Sequence, residues 1–192
     1  MALAKFKFNN GDAGFSLVET LIATSLLATA LVALAQLFAV SVKNNAVAKS
    51  GTFTQVLASQ KIEQLRGLTW GFDTLGLPIS DTTTDTAVSP EAAIGGTGLA
   101  PSPTNTLQAN TDGYVDYLDA NGNQLGGGTV IPTGTVFIRR WLIEPLPTNP
   151  NNTLVLQVLV TRNRNRGTAD AGAVRRLPEE ARLVTVKTRK AE

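Results

Sequence analysis

The longest apolar stretch of the chain lies close to its N-terminus. Residues 20–42 carry no charged side chain and no Gly or Pro, and Leu and Ala dominate them. At ~1.5 Å of rise per residue, these 23 residues would form a helix about 35 Å long. That length is enough to cross a hydrocarbon core of ~30 Å. The pattern therefore predicts the transmembrane half of a helix over residues 15–42, preceded by a short leader, residues 1–14.

Two other structures would account for the same stretch. A core helix of a water-soluble protein would need other apolar segments to surround it, and no other segment is apolar enough. A secretory signal peptide has an apolar region of ~7–15 residues, which is shorter than this one. Ala46, Val47 and Ala48 nevertheless resemble a signal-peptidase site, and cleavage there would release a secreted domain.

The helix is predicted to continue beyond the apolar stretch, because the first proline is Pro78. Apolar side chains recur at i, i+4 and i+7, the spacing of one helix face, at Ala58, Ile62 and Leu65. Lys61 is assigned to the polar side. Residues 43–66 are therefore expected to form an amphipathic half of the same helix, ending at Gly67.

The remainder of the chain predicts a loop followed by a small sheet. Residues 67–113 are rich in Thr, Pro and Gly and have neither helical nor strand periodicity, which indicates a variable loop. Within residues 114–192, β-branched and aromatic residues predict strands at 114–118, 135–143, 154–160 and 182–189. The strands are expected to pair antiparallel in meander order, with Val184 and Val186 facing inward. The second half of the helix is the one candidate to cover them, so the predicted fold class is α+β.

Composition excludes much catalytic chemistry. The chain has no His and no Cys, so His general bases, thiol nucleophiles, disulfides and Cys/His zinc sites cannot be formed. Two carboxylate pairs, Asp116 with Asp119 and Glu179 with Glu180, are interpreted as solvated charge, because nothing nearby is expected to shift their pKa. The sequence predicts no enzymatic activity, no cofactor and no metal.

Residues 119–123 contain alternating oxygen ligands that suggest a calcium loop. Asp119, Asn121 and Asn123 alternate in the required way, but the positions where an EF-hand has Gly and Glu hold Gln124 and Val130. Asn121 followed by Gly is a hairpin signal. A hairpin turn is the interpretation, with a cation site as the alternative.

Charge is segregated along the chain. Residues 1–66 carry 6 Lys and Arg against 3 Asp and Glu, residues 67–134 carry none against 7, and residues 135–192 carry 11 against 5. Part of the last block is a possible basic contact patch, formed by Arg162, Arg164, Arg166, Arg175 and Arg176. Such a patch could bind DNA phosphates. A solvated loop or a subunit contact is the other interpretation.

One carboxylate, Glu19, stands at the very start of the apolar stretch. A charge entering a membrane is costly, although a helix N-terminus offsets part of the cost. An α-amino group created by cleavage between Gly14 and Phe15 would be a suitable cation for it. In an assembly, Glu19 of one chain could pair with the amine of Phe15 in a neighbour.

At these residues the chain resembles the type IV pilin superfamily, whose leader is short, basic and ends in Gly. An aromatic residue, three small or apolar residues and Glu follow, as in Gly14 and the segment from Phe15 to Glu19. The resemblance implies cleavage after Gly14 by prepilin peptidase, N-methylation of Phe15, a role for Glu19 in assembly and register, and a pilin fold. It also implies a single-pass protein of the bacterial inner membrane, N-terminus cytoplasmic, that later enters a fibre of other pilin or pseudopilin subunits.

A finer resemblance, to PilV-type minor pilins and I-type pseudopilins of type II secretion, covers the end of the helix and the C-terminal third. The absence of a helix proline and of a C-terminal Cys pair departs from many major pilins. The function implied is therefore that of a minor subunit, acting in initiation or modification of a pilus or pseudopilus. The alternative is a competence-type subunit whose basic loop binds DNA or a surface.

Overall fold

The computed structural model of the protein describes residues 15–163 and 180–189. The leader, Gly14, four members of the basic patch (Arg164, Arg166, Arg175 and Arg176) and Glu179 lie outside these residues. Within them the chain forms one long helix followed by seven strands. The helix, α1, spans Leu17–Gly67, or 51 residues. This confirms both the uninterrupted helix and its end at Gly67.

The chain divides into two compact units, residues 1–45 and residues 46–192. In the described part of the first unit, α1 carries large exposed apolar side chains on all of its sides. Its most apolar window of 18 residues has a mean hydropathy of 2.1, and none of it is buried. Large side chains such as Phe15, at 80% exposure, and Leu26, at 65%, are open. The interpretation as a soluble core helix is therefore wrong, and a helix long and apolar enough to span a membrane is confirmed.

The second unit contains the end of α1 and two antiparallel sheets. Two short strands, β1 (Trp70–Phe72) and β2 (Pro78–Ser80), form a hairpin. The five strands of the main sheet are β3 (Val115–Leu118), β4 (Gln124–Gly127), β5 (Phe137–Pro145), β6 (Thr153–Arg162) and β7 (Ala181–Thr188). The fold class α+β is therefore confirmed.

The order of the main sheet is β4-β3-β5-β6-β7. Strands β5 to β7 follow one another as a meander, as predicted. Strand β4 follows β3 in the chain and pairs with one edge of it. Strand β5 pairs with the other edge of β3, so the chain crosses back past β3 between β4 and β5. The four predicted strands therefore lie in the predicted meander order, β3-β5-β6-β7, and the strand that the sequence analysis missed is β4, which the tight turn around Gly122 pairs with β3 before β5 is reached.

The core of the second unit lies between α1 and one face of the main sheet. Leu57, Ala58, Ile62 and Leu65 of α1 are buried there against Trp141, Ile143, Leu156 and Val158. Phe53 adds an aromatic contact at one end, with its ring centroid 5.4 Å from that of Phe137. The predicted face of Ala58, Ile62 and Leu65 is confirmed, and the helix does cover the sheet.

Strand β7 turns toward the core the face opposite to the one predicted. Val184 and Val186 pair with Gln157 and Val155 on the side of the sheet away from the helix, and they are 58% and 54% exposed. Leu183 packs against the core instead. The prediction of inward valines is wrong because alternation alone does not decide which of the two faces is buried.

The segment predicted as a variable loop, residues 67–113, is packed within the second unit. Besides β1 and β2, it contributes the buried side chains of Ala87, Leu99 and Leu107. The Tyr114 hydroxyl lies 3.1 Å from the carbonyl oxygens of both Ala100 and Pro101, which share its one hydrogen as acceptors. Its low hydrophobic periodicity therefore indicates irregular backbone, but not the absence of packing.

Candidate functional site

The first turn of α1 is closed by a side-chain cap. The Ser16 hydroxyl accepts the Glu19 backbone N–H at 3.2 Å, and the Ser16 carbonyl accepts the Thr20 N–H at 3.1 Å. Ser at the N-cap with Glu three residues later is the capping-box pattern, which favours a helix start at this position. The helix thus begins two residues after Phe15, next to the predicted cleavage point.

The predicted pairing residues lie at this capped end. Phe15 is 80% exposed, and the Glu19 side chain is exposed on the first turn. Glu19 is the one charged residue between Phe15 and Lys43. A carboxylate on the first turn of a helix interacts favourably with the helix dipole. Its oxygens remain able to accept a cation from another chain, because no described residue forms an ion pair with it.

A buried ionic cluster joins α1 to the sheet in the second unit. Asp116 on β3 receives Lys61 Nζ at 2.8 Å, and Arg139 on β5 binds both of its oxygens, at 2.9 and 2.7 Å. Arg139 also donates to the Leu57 carbonyl of α1 at 3.0 Å. Gln124 on β4 donates to the same carboxylate at 3.0 Å. One carboxylate therefore links the helix with three neighbouring strands.

Lys61 is the least usual member of this cluster, because its side chain has no exposed surface. Its ammonium lies 4.0 Å from the centroid of the Trp141 ring and donates to the Thr86 carbonyl. Burial lowers the pKa of Lys61 to about 8, against the opposing attraction of Asp116 and with a further lowering by Arg139. The cluster holds two cations and one anion, so it carries excess positive charge when Lys61 is protonated.

The sequence analysis missed this cluster. Lys61 was assigned to the polar side, and Asp116 was interpreted as solvated; both predictions are wrong, since each is fully buried. A signal was present: Lys61 stands four residues after Leu57 and four before Leu65, on the buried face. Asp116 likewise shares a strand face with the core residue Leu118, two positions later, and Arg139 shares one with Trp141.

The Asp119 segment is a hairpin turn. Its carboxylate accepts the backbone N–H groups of Asn121 and Asn123, each at 2.8 Å, and the Asn123 side-chain amide at 2.9 Å. Gly122 follows with φ of +86°, which a residue without Cβ adopts readily. The bonds from Asn123 lower the pKa of Asp119. The hairpin interpretation is confirmed, and the carboxylate is used by the turn itself.

The basic patch is described at one residue only. Arg162 ends β6, where it pairs with Phe137 of β5. The other four arginines lie outside the described residues, so the arrangement of the patch stays a prediction.

Compared with models of protein families, with curated proteins and with solved structures, the chain matches none of them. The functional assignment therefore depends on the residues and their geometry.

Proposed function

We propose that this chain is a membrane-anchored minor pilin or pseudopilin, acting in the initiation or modification of a type IV pilus or type II secretion pseudopilus. The observation that carries the proposal is the start of α1. A capped first turn begins two residues after Phe15 and places Glu19 ahead of an apolar span that nothing described in the chain covers.

The first step of the proposed pathway is removal of the leader. Cleavage after Gly14 by prepilin peptidase leaves Phe15 with a new α-amine, which is then N-methylated. From Phe15 to Val18 there is no charged side chain. The amine is therefore the cation nearest in sequence to Glu19, four residues away.

The second step is pairing between neighbours. In a bundle of parallel helices, Glu19 of one subunit binds the Phe15 amine of the next and sets their register. Such a pair gains strength where water is excluded, because the attraction between charges grows as the effective dielectric constant falls. Removal of one partner of a buried pair typically costs ~3–5 kcal/mol, because the other charge stays buried alone.

The second unit is the part that contacts other subunits outside the membrane. The contacts of Asp116 with Lys61 and Arg139 hold the sheet in one position against the end of α1. In this proposal the protein is a substrate of prepilin peptidase and a structural subunit, and it carries out no catalysis.

The pairing step is tested by replacing Glu19. Glu19→Ala and Glu19→Gln are expected to insert in the membrane and to be cleaved, since the apolar span and Gly14 are unchanged. Both are expected to lose most of their incorporation into fibres, because the charge is lost in each. Insertion, cleavage and incorporation are measured in parallel by fractionation and immunoblotting of membranes and sheared fibres.

A matched control is Glu63→Ala, which removes an exposed carboxylate from the same helix, one that pairs with Arg66 in the next turn. It is expected to assemble as the wild type does. Normal incorporation of Glu19→Ala, with Phe15 carrying its processed amine, would contradict the pairing mechanism.

A further inference from the structure

Six uncharged polar side chains interrupt the apolar span of residues 20–42. Four of them donate to the carbonyl three residues earlier in their own helix, at 2.8–3.0 Å: Thr20, Thr24, Ser25 and Thr29. These hydroxyls are therefore satisfied without water. Gln36 and Ser41 make no such bond within the described residues. Ser41 stands one residue from the end of the span, where interfacial water can reach it.

Gln36 has no such access to water. It lies six residues inside the end of the span at Val42, or about 9 Å of helix. A carboxamide in hydrocarbon without a hydrogen-bond partner is costly, because lipid tails cannot replace water, and Gln36 makes no hydrogen bond to its own backbone within the described residues. If the span is in the bilayer, Gln36 requires a polar group from outside its own helix.

Gln36 belongs to a defined face of α1. Residues at i, i+4, i+7 and i+11 fall within about 60° of one another on a helix, and here they are Ser25, Thr29, Val32 and Gln36. We call this face the polar stripe. Over residues 25–38, the opposite side of the helix carries bulky apolar side chains, namely Leu27, Leu31, Leu34 and Phe38, whereas Thr20, Thr24 and Ser41 lie outside the stripe. Helices that associate in lipid place small and polar residues at the contact and large apolar residues toward the lipid.

We propose that the polar stripe binds the polar stripe of a second copy of this chain within the membrane. Copies enter the bilayer in the same orientation, so identical residues lie at the same depth in two parallel helices. A carboxamide has both donors and an acceptor, so Gln36 of one copy satisfies Gln36 of the other across a two-fold axis. The inference rests on the proposed function, which places residues 20–42 in the bilayer, and it adds a membrane dimer that precedes the fibre.

The absence of Cys from the chain makes a direct test possible. Single cysteines are introduced in the full-length protein at Val32, on the polar stripe, and at Leu34, about 160° away around the helix. Membranes are treated with copper phenanthroline as oxidant, and disulfide-linked dimer is measured on non-reducing gels. Val32→Cys is expected to give several-fold more dimer than Leu34→Cys.

The role of the carboxamide is tested in the Val32→Cys background. Adding Gln36→Leu is expected to lower the dimer yield about three- to tenfold, the range expected for loss of one hydrogen-bonded contact between helices in a membrane. Gln36→Asn keeps a donor and an acceptor and is expected to retain a larger part of the yield.

Three results would overturn the inference. These are equal dimer yields from the two faces, a yield that Gln36→Leu leaves unchanged, and a crosslink to a protein of different mass in place of the dimer. Carbonate extraction of the same membranes separates this failure from failure of the proposed function. A chain that stays in the pellet without a dimer contradicts only the inference, whereas a chain that is extracted contradicts the membrane anchor and the inference together.

Discussion

A lysine with no exposed surface stands in the contact between α1 and the main sheet. Burial of an ion pair is expensive, because desolvation of both charges competes with their attraction. The cluster of Lys61, Asp116 and Arg139 is therefore better explained as a device that fixes the position of α1 on the sheet than as a source of net stability. A rotation of α1 by one residue, about 100°, would remove Lys61 from Asp116. The ion pairs of the cluster can thus form in only one register of the helix on the sheet.

The carboxylate at the centre of the cluster gives the first prediction. Asp116→Asn leaves the cations of Lys61 and Arg139 buried together without a counter-charge. We expect the free energy of unfolding of the fragment 46–192 to fall by about 3–5 kcal/mol, measured by urea denaturation. Glu144→Gln, at an exposed position of β5, is the control and should change it by less than about 0.5 kcal/mol. Equal effects of the two substitutions would mean that the buried cluster has no special energetic role.

The lowered pKa of Lys61 gives a prediction about pH. The pKa of Lys61 in the folded state, about 8, is below the ordinary pKa of 10.5. At a pH between these two values, the unfolded chain therefore binds one more proton than the folded chain. Stability contributed by this group therefore rises with pH across that window, and the cost of the buried charge is fully present below it. The prediction concerns the difference between the wild type and Lys61→Met, in which other titrating groups cancel.

From about pH 7.5 to about pH 9.5, the free energy of unfolding of the wild type should rise by about 2 kcal/mol relative to Lys61→Met. Urea denaturation of both fragments over this range measures the difference. Parallel pH profiles would show that Lys61 keeps an ordinary affinity for protons in the folded state.

At the scale of the element, α1 combines two patterns in one uninterrupted helix. Residues up to Val42 carry large apolar side chains on every side, a pattern suited to lipid. Beyond Lys43 one face packs on the sheet, and the other bears polar side chains. No proline or cap separates the patterns, so the change lies in the side chains alone and the backbone continues from one to the other.

The packed face of this helix gives a further prediction. Ile62→Asp and Leu65→Asp each place a charge against the sheet, at positions that are 7% and 0% exposed. We expect each variant of the fragment 46–192 to lose its cooperative thermal transition or to melt far below the wild type, because a buried charge without a partner is strongly unfavourable. Circular dichroism measures the transition. Val56→Asp, on the same helix at 47% exposure, should melt close to the wild type, and equal damage from all three would contradict the assignment of the packed face.

How far the sequence predicts the structure also differs by element. The helix and the central strands could be predicted because apolar residues recur at the periods of those structures, as Ala58, Ile62 and Leu65 do. The orientation of β7 could not, since Val184 and Leu183 are both apolar and only the pairing with β6 selects a face. Lys61 could not be placed by residue type, because its burial depends on Asp116, which lies 55 residues later and on another element.

At the scale of the whole molecule, the proposed function places the first compact unit in the membrane and the second outside it. The described part of the first unit exposes apolar side chains almost throughout, and the second has a core of its own. In that proposal, processing at Gly14 supplies an amine at Phe15 that pairs with Glu19 of a neighbouring subunit in a helical bundle. The position of the mature N-terminus therefore separates the proposed function from the release of a secreted domain after Ala48.

The most direct measurement is the intact mass of the protein extracted from membranes, with its N-terminal peptide sequenced by mass spectrometry. The account predicts a chain that begins at N-methylated Phe15, and a Gly14→Asp variant that keeps the leader because a bulky charged residue blocks the peptidase. A mature chain that begins at Lys49, or wild-type protein that retains Met1 to Gly14 in membranes containing an active prepilin peptidase, would contradict it.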